Sequence, residues 1–227
     1  MQIFIDTADE LEVRHWSRYG VVDGVTTNPS LLLAQRWTRL QNGVVRLANA
    51  IHPRPLSVEV FADEDHEMLA QARTFAGWAD NIVIKVPVID GDGRPLLEVV
   101  HRLESEGVRV NCTACMSFGQ AALAAKAGAT YVSLLAGRID DEGNDGSGVV
   151  GQTCSWLRDW GMPSRVIAGS IRAPRDVQRL AAAGVHVITV PPPILTKLVD
   201  HRYSRATSAQ FTRDGQQAFG QVLIDVG

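Results

Sequence analysis

The apolar positions of this chain fall into two alternating textures. Short runs rich in Val and Ile read as strands buried on both faces. Between them lie longer segments with apolar residues three and four apart, the spacing of an amphipathic helix. The first run, Gln2 to Asp6, leads through Thr7-Ala8-Asp9 into helical spacing as far as Trp16. A second strand, Gly24 to Asn28, stops at Pro29, which opens a helix patterned past Trp37 to about Ile51. Strands are then expected at Leu56 to Phe61 and Ile82 to Val88, with a helix from Ala62 to about Ala79 between them. The second half keeps the rhythm, with strands at Val108 to Ala114, Thr130 to Leu135, Arg165 to Ser170 and Val185 to Val190. Helices are expected up to Gly107, from Ser117 to Ala127, up to Trp160 and from Ala173 to Ala183. Gly137 to Gly148 reads as a glycine-rich acidic loop, Pro191-Pro192-Pro193 opens a short helix, and a terminal helix is expected from about Ser208.

Strict alternation of strand and helix predicts an α/β protein. The expected fold is a (β/α)8 TIM barrel with an additional C-terminal helix, one domain over residues 1–227. The competing architecture, a doubly wound open sheet, calls for a glycine-rich turn after the first strand. Asp6-Thr7-Ala8-Asp9 stands there instead.

Composition narrows the functions. A formal net charge of −3 over 227 residues gives no electrostatic case for nucleic acid or an anionic membrane. No apolar run has the length to span a bilayer, and the first residues carry no secretory signature. The odd set Cys112, Cys115 and Cys154 suits a reducing, cytoplasmic setting. Cys112 and Cys115 form a lone C-x2-C without a second pair, and the histidines show no ligand spacing, so no metal site is expected.

The chemistry begins with a lysine inside an apolar strand, Asn81-Ile-Val-Ile-Lys-Val-Pro-Val88. Only Lys85, Lys126 and Lys197 occur in the chain. A buried ammonium is costly, so a lysine in such a strand tends toward the neutral amine that forms a Schiff base with a carbonyl. The other reading is a lysine that snorkels its head group into solvent. The remaining strand ends decide, because a barrel collects its chemistry at their carboxyl ends. They present Asp6, Thr26, Asn28, Glu59, Asn111, Thr113, Ser133, Arg138, Ser170 and Arg172. Thr26 and Asn28 are two apart, as are Asn111 and Thr113, which places each pair on one strand face. Two carboxylates, Asp6 and Glu59, supply acid and base beside an imine. The amides and hydroxyls suit sugar hydroxyls, and the arginines suit a phosphate.

Six segments carry a resemblance. Phe4-Ile-Asp-Thr-Ala8, Asp23-Gly-Val-Thr-Thr-Asn-Pro-Ser-Leu31, Ile84-Lys-Val-Pro87, Asn111-Cys-Thr113, Gly137-Arg-Ile-Asp140 and Gly169-Ser-Ile-Arg172 resemble the transaldolase and fructose-6-phosphate aldolase family, small-subunit type, in order and spacing. The resemblance implies a class I mechanism without metal or other cofactor. It implies Lys85 as the Schiff-base lysine, Asp6 as acid/base at the cleaved bond, and Glu59 with Thr113 on the catalytic water. Thr26, Asn28, Asn111 and Ser133 would line the donor ketose, and Arg138, Ser170 and Arg172 would bind substrate phosphate. It also implies a ring-shaped homo-oligomer, a pentamer or decamer, whose C-terminal helix reaches a neighbour. The implied activity is transaldolase, moving a dihydroxyacetone unit between sugar phosphates. The alternative is an aldolase that releases free dihydroxyacetone, and a third reading is a silent barrel kept for binding.

Departures from the family pattern bear on the substrate. Position 59 is Glu, as in transaldolases, where the aldolases usually carry Gln. Leu135 stands where relatives place Phe or Tyr, and Cys112 and Cys115 replace larger aliphatic residues. Either volumes are exchanged among core neighbours, or the donor or acceptor preference is altered, as for a longer-chain sugar. Asp140 to Gly146 lacks the ligand spacing of a calcium loop and is expected to be an ordinary loop on the active-site side.

Overall fold

The computed structural model describes residues 1–220. The last seven residues of the expected domain and terminal helix lie outside them. Eight parallel strands close a barrel in sequence order. They are β1 (Gln2–Asp6), β2 (Gly24–Thr26), β3 (Leu56–Glu59), β4 (Ile82–Pro87), β5 (Val110–Cys115), β6 (Tyr131–Leu134), β7 (Arg165–Ala168) and β8 (Val187–Val190). The helices between and after them are α1 (Glu10–Ser17), α2 (Pro29–Ala34), α3 (Leu40–Ile51), α4 (Asp65–Ala76), α5 (Leu97–Ser105), α6 (Phe118–Lys126), α7 (Ala136–Asp141), α8 (Gly146–Asp159), α9 (Pro174–Ala182), α10 (Pro192–Val199) and α11 (Arg202–Phe219). The expected (β/α)8 barrel with an added C-terminal helix is what the chain forms.

Three local expectations are corrected. The segment from Pro29 to Ile51 is two helices, because Arg36 takes a left-handed φ of 52° and turns the chain. Trp37 then folds over Gly43 of α3, where even a Cβ would lie 2.0 Å from the indole. The acidic segment after β6 is not all loop, since α7 occupies Ala136–Asp141. The terminal helix starts at Arg202 rather than near Ser208. Several strands also end earlier than expected, although β5 runs one residue further, to Cys115: β2 stops at Thr26, and Asn28 caps α2, accepting from the Leu31 amide at 3.0 Å, with Pro29 in the first turn.

Strand alternation sorts the core into two shells. Residues such as Ile5, Val25, Val58, Ile84, Val86, Cys112 and Val132 face outward and pack with the helices. Inside the barrel a smaller cluster, Phe4, Val83, Tyr131, Ile167 and Val187, forms an apolar plug. The plug shares the inward face with Lys85, which lies two residues beyond Val83. In β5 the alternation slips: Ala114 has φ 59°, the register shifts between Cys112 and Cys115, and Cys115 joins the outer shell. Both cysteines are buried free thiols.

At the plug, Phe4 depends on the bare backbone of Gly24 opposite it on β2. A Cβ on Gly24 would stand 2.7 Å from the Phe4 ring. Gly24→Ala is therefore expected to cost about 1–3 kcal/mol through overpacking, read by chemical denaturation. Phe4→Leu in the same chain should recover part of that loss. An unchanged denaturation midpoint for Gly24→Ala would contradict this packing.

Candidate active site

Lys85 enters the barrel from the middle of β4, with Glu59 of β3 and Asn111 of β5 beside it in register. The residue is 8% exposed, with its head group bonded inside the barrel rather than extended into solvent. Nζ donates to the Thr27 carbonyl at 2.8 Å and pairs with Glu59 Oε2 at 2.9 Å. Burial alone would penalise the ammonium heavily, and these two acceptors offset that penalty.

Asp6 ends β1 on the same inward face, next to Thr26 of β2. Thr26 Oγ1 donates to Asp6 Oδ1 at 2.7 Å and lies 2.5 Å from Thr189 Oγ1 of β8. Part of Asp6 remains open to the barrel mouth. Desolvation by the surrounding protein nevertheless raises its carboxyl above the ordinary 3.8, and the Glu59 charge raises it further. The Thr26 hydrogen bond and the Lys85 charge oppose that rise without cancelling it. The two carboxylates thus sit in different surroundings, one paired directly with the lysine and one recessed beside hydroxyls.

The rest of the inward polar layer is shared among strands. Asn111 is fully buried, accepts from Ser133 Oγ at 2.7 Å through Oδ1 and donates to Ser57 Oγ at 3.3 Å through Nδ2. Thr113, 4% exposed, follows it one inward position nearer the mouth, opposite Pro87. Leu135 lies just past β6, with Cδ2 at 3.3 Å from where a Cβ on Gly169 would sit. Thr189 Cγ2 flanks the same point at 3.7 Å, so Leu135 and Thr189 wall one side of the mouth together. Asn28 keeps an extended backbone past the end of β2, and its side-chain oxygen accepts from the Leu31 amide as the cap of α2.

The three residues expected to hold phosphate stand apart from this layer. Arg138 is exposed on α7, and Ser170 follows β7 with a left-handed φ of 62°. The close approach requires Gly137, because a Cβ there would lie 2.0 Å from the Ser170 carbonyl oxygen. This packing brings the exposed Arg172 onto α7, where both of its terminal nitrogens bond the Asp141 carboxylate. That pairing, with the Arg138 charge nearby, holds the Asp141 carboxyl below the usual range.

A lysine held between a carboxylate and a backbone carbonyl, with a second carboxyl recessed in the same barrel mouth, can form an imine and have protons moved beside it. The match to known sequences fits that chemistry: the family model for transaldolase/fructose-6-phosphate aldolase covers residues 3–224. This chain belongs to that family. Proteins named probable transaldolase resemble it along nearly their whole length. The protein of Herpetosiphon aurantiacus is 43% identical over 217 residues, covering 96% of each chain. That of Lactiplantibacillus plantarum is 40% identical over 214 residues, 94% of this chain and 96% of the relative. The Dehalococcoides mccartyi protein is 38% identical over 214 residues, 94% and 97% respectively. Among solved structures, a mandelate oxidase variant aligns with a TM-score of 0.55 at 16% identity. It covers 84% of this chain and 64% of its own, a likeness of fold alone.

Ser57, the Thr27 carbonyl and Thr189 also belong to this layer of the transaldolase-family chain, beyond the residues expected from the sequence. Ser57 lies two residues before Glu59 and Thr189 two after Val187, so the alternation that located Lys85 also points to them.

The elevated Asp6 carboxyl has a consequence for stability. Below the ordinary aspartate value of 3.8 the group is protonated in both folded and unfolded chains and costs nothing. As pH rises through its higher folded value, the recessed carboxylate is ionised at a cost to the fold. Asp6→Asn is therefore expected to be more stable than the parent at neutral pH, with the advantage shrinking as pH falls toward 3.8. Denaturant titrations at several pH values read this. A variant less stable than the parent at neutral pH would contradict it.

Proposed function

We propose that the chain is a class I transaldolase, carrying a dihydroxyacetone unit from a ketose phosphate to an aldose phosphate on Lys85. The observation that carries the reading is the buried Lys85–Glu59 pair at 2.9 Å, with Asp6 recessed in the same mouth. Glu59 accepts a proton from the Lys85 ammonium, and the free amine adds to the ketose carbonyl carbon. The carbinolamine loses its hydroxyl as water to give the imine, with Glu59 and Thr113 moving the protons and holding that water. Asp6 then takes the proton of the hydroxyl at the bond to be broken. The carbon–carbon bond cleaves, its electron pair passes into the imine to form an enamine, and an aldose phosphate leaves. An acceptor aldehyde enters, the enamine attacks its carbonyl carbon, and Asp6 returns the proton to the new hydroxyl. Addition of water to the imine releases the product ketose.

Thr26, Asn28, Asn111 and Ser133 contact the donor sugar in this reading, with the Nδ2 group of Asn28 as its available donor. Arg138, Ser170 and Arg172 take the phosphate, which must compete with Asp141 for the Arg172 guanidinium. Leu135 sets the wall beside the imine and, being smaller than the family's usual aromatic ring, leaves room for an unusual or longer-chain sugar. The enzyme acts in the cytoplasm as a homo-oligomeric ring, pentamer or decamer. α11 supports the assembly: its 18 residues bury none of their side chains against the barrel, and Tyr203, Phe211 and Phe219 stand exposed on it.

Borohydride added with fructose 6-phosphate should fix a three-carbon unit on Lys85, read by peptide mass spectrometry. An unmodified Lys85 peptide would overturn the reading, and Lys85→Met should lose both adduct and activity. Product analysis with and without an aldose phosphate acceptor separates transfer from release of free dihydroxyacetone. Glu59, the residue found in transaldolases at this position, favours transfer.

A further inference from the structure

Thr189 has no role in the chemistry set out above, yet it is bound into it. Its hydroxyl oxygen lies 2.5 Å from Thr26 Oγ1, which in turn lies 2.7 Å from Asp6 Oδ1. Thr26 and Thr189 are 3% and 6% exposed, so both contacts are made with little access to solvent. A hydroxyl carries one proton to donate and can accept two, whereas an ionised carboxylate only accepts. Thr26 therefore has two oxygens competing for one proton. With Asp6 ionised, a single arrangement satisfies both contacts, in which Thr189 donates to Thr26 and Thr26 donates to Asp6. Thr189 Cγ2 and Leu135 Cδ2 flank Gly169, 3.7 and 3.3 Å from where a Cβ on that residue would sit.

We propose that Thr189 is a positioning residue for Asp6: by donating to Thr26 it commits the Thr26 proton to Asp6 Oδ1 and leaves Oδ2 to exchange the substrate proton. The proposal rests on the transaldolase reading for its function, although its geometry exists without substrate. Each bond in such a chain polarises the next, so the Thr189 bond strengthens the one Thr26 makes to the carboxylate. Other charges facing Asp6 come from Lys85 on β4, which favours its ionised form, and Glu59 on β3, which opposes it. β5 and β6 contribute the uncharged Asn111, Thr113 and Ser133 to the inward polar layer. Hydrogen bonding through Thr26 is thus one of two influences that keep a desolvated acid available as a base. In the cleavage step Oδ2 gains the proton of the substrate hydroxyl while Thr26 and Thr189 keep their own. In the addition step Oδ2 gives it back, so nothing is consumed.

The test compares the parent with the near-isosteric Thr189→Val and with Thr189→Ser, which keeps the hydroxyl. Infrared titration of the unliganded protein follows the Asp6 carboxyl band, identified by its loss in Asp6→Asn, and needs no turnover. In Thr189→Val the Asp6 midpoint should rise by roughly half to one pH unit, the effect of one weakened hydrogen bond. Thr189→Ser should restore most of the parent value, which a purely steric role for the methyl would not do. The acid limb of the kcat/KM profile should move upward by the same amount, with borohydride trapping on Lys85 retained. An Asp6 midpoint unchanged in Thr189→Val overturns the proposal, whatever the activity. Failure of the parent itself to be trapped would overturn the transaldolase reading, and the infrared comparison would still decide whether Thr189 acts on Asp6.

Discussion

An ammonium placed inside a barrel has to be answered by acceptors, and much of this active-site layer can be understood from how Lys85 is answered. Nζ sits between the Thr27 carbonyl and the Glu59 carboxylate, at 2.8 and 2.9 Å. Both acceptors depend on strand register. Glu59 is level with Lys85 because β3 and β4 pair in parallel without a slip, and Thr27 is reached across β3 from the end of β2. A one-residue shift of either strand would turn its inward side chains outward and leave a buried charge alone. The barrel therefore fixes not only the place of the lysine but also its ion-pair partner.

On β1 and β4 the inward face changes from apolar to polar within one inward step. Val83 and Lys85 are successive inward residues of β4, as Phe4 and Asp6 are of β1. The plug of Phe4, Val83, Tyr131, Ile167 and Val187 closes the barrel beneath Lys85 and Asp6. It also contributes to the low-polarity surroundings in which Asp6 resists ionisation. Gly24 belongs to this arrangement although it has no side chain, because the Phe4 ring occupies the space a Cβ would need. The opposite end of the barrel is tied differently. There the Glu104 carboxylate accepts from the backbone amides of Val110 and Thr130, at 2.7 and 2.6 Å, and joins the starts of β5 and β6.

How much of this the sequence discloses depends on the range of the interaction involved. The strands, their order and the inward face of Lys85, Glu59 and Asn111 follow from alternation within short runs, which is local information. The two-residue spacing of Thr26 and Asn28 does not disclose that the Asn28 side-chain oxygen caps α2. α7 is hidden in a glycine-rich acidic segment, since Gly137 serves a contact with Ser170 that local pattern cannot show. α11 begins before its apolar spacing does because it has no buried face to impose one. The Thr26–Thr189 contact joins residues 163 positions apart, and only closure of the barrel between β8 and β1 brings it about. Arg172 was legible as a cation but not as the partner of Asp141.

The central claim is that Lys85 exchanges its partner, Glu59, for a covalent bond to substrate. A crystal structure of the protein soaked with a ketose phosphate examines that exchange directly. The account predicts continuous density from Lys85 Nζ to the former carbonyl carbon, with the Glu59 carboxylate released from its 2.9 Å contact and Asp6 beside the hydroxyl of the bond to be cleaved. An ordered ketose phosphate in the mouth, with Lys85 still unmodified and paired to Glu59, would contradict it.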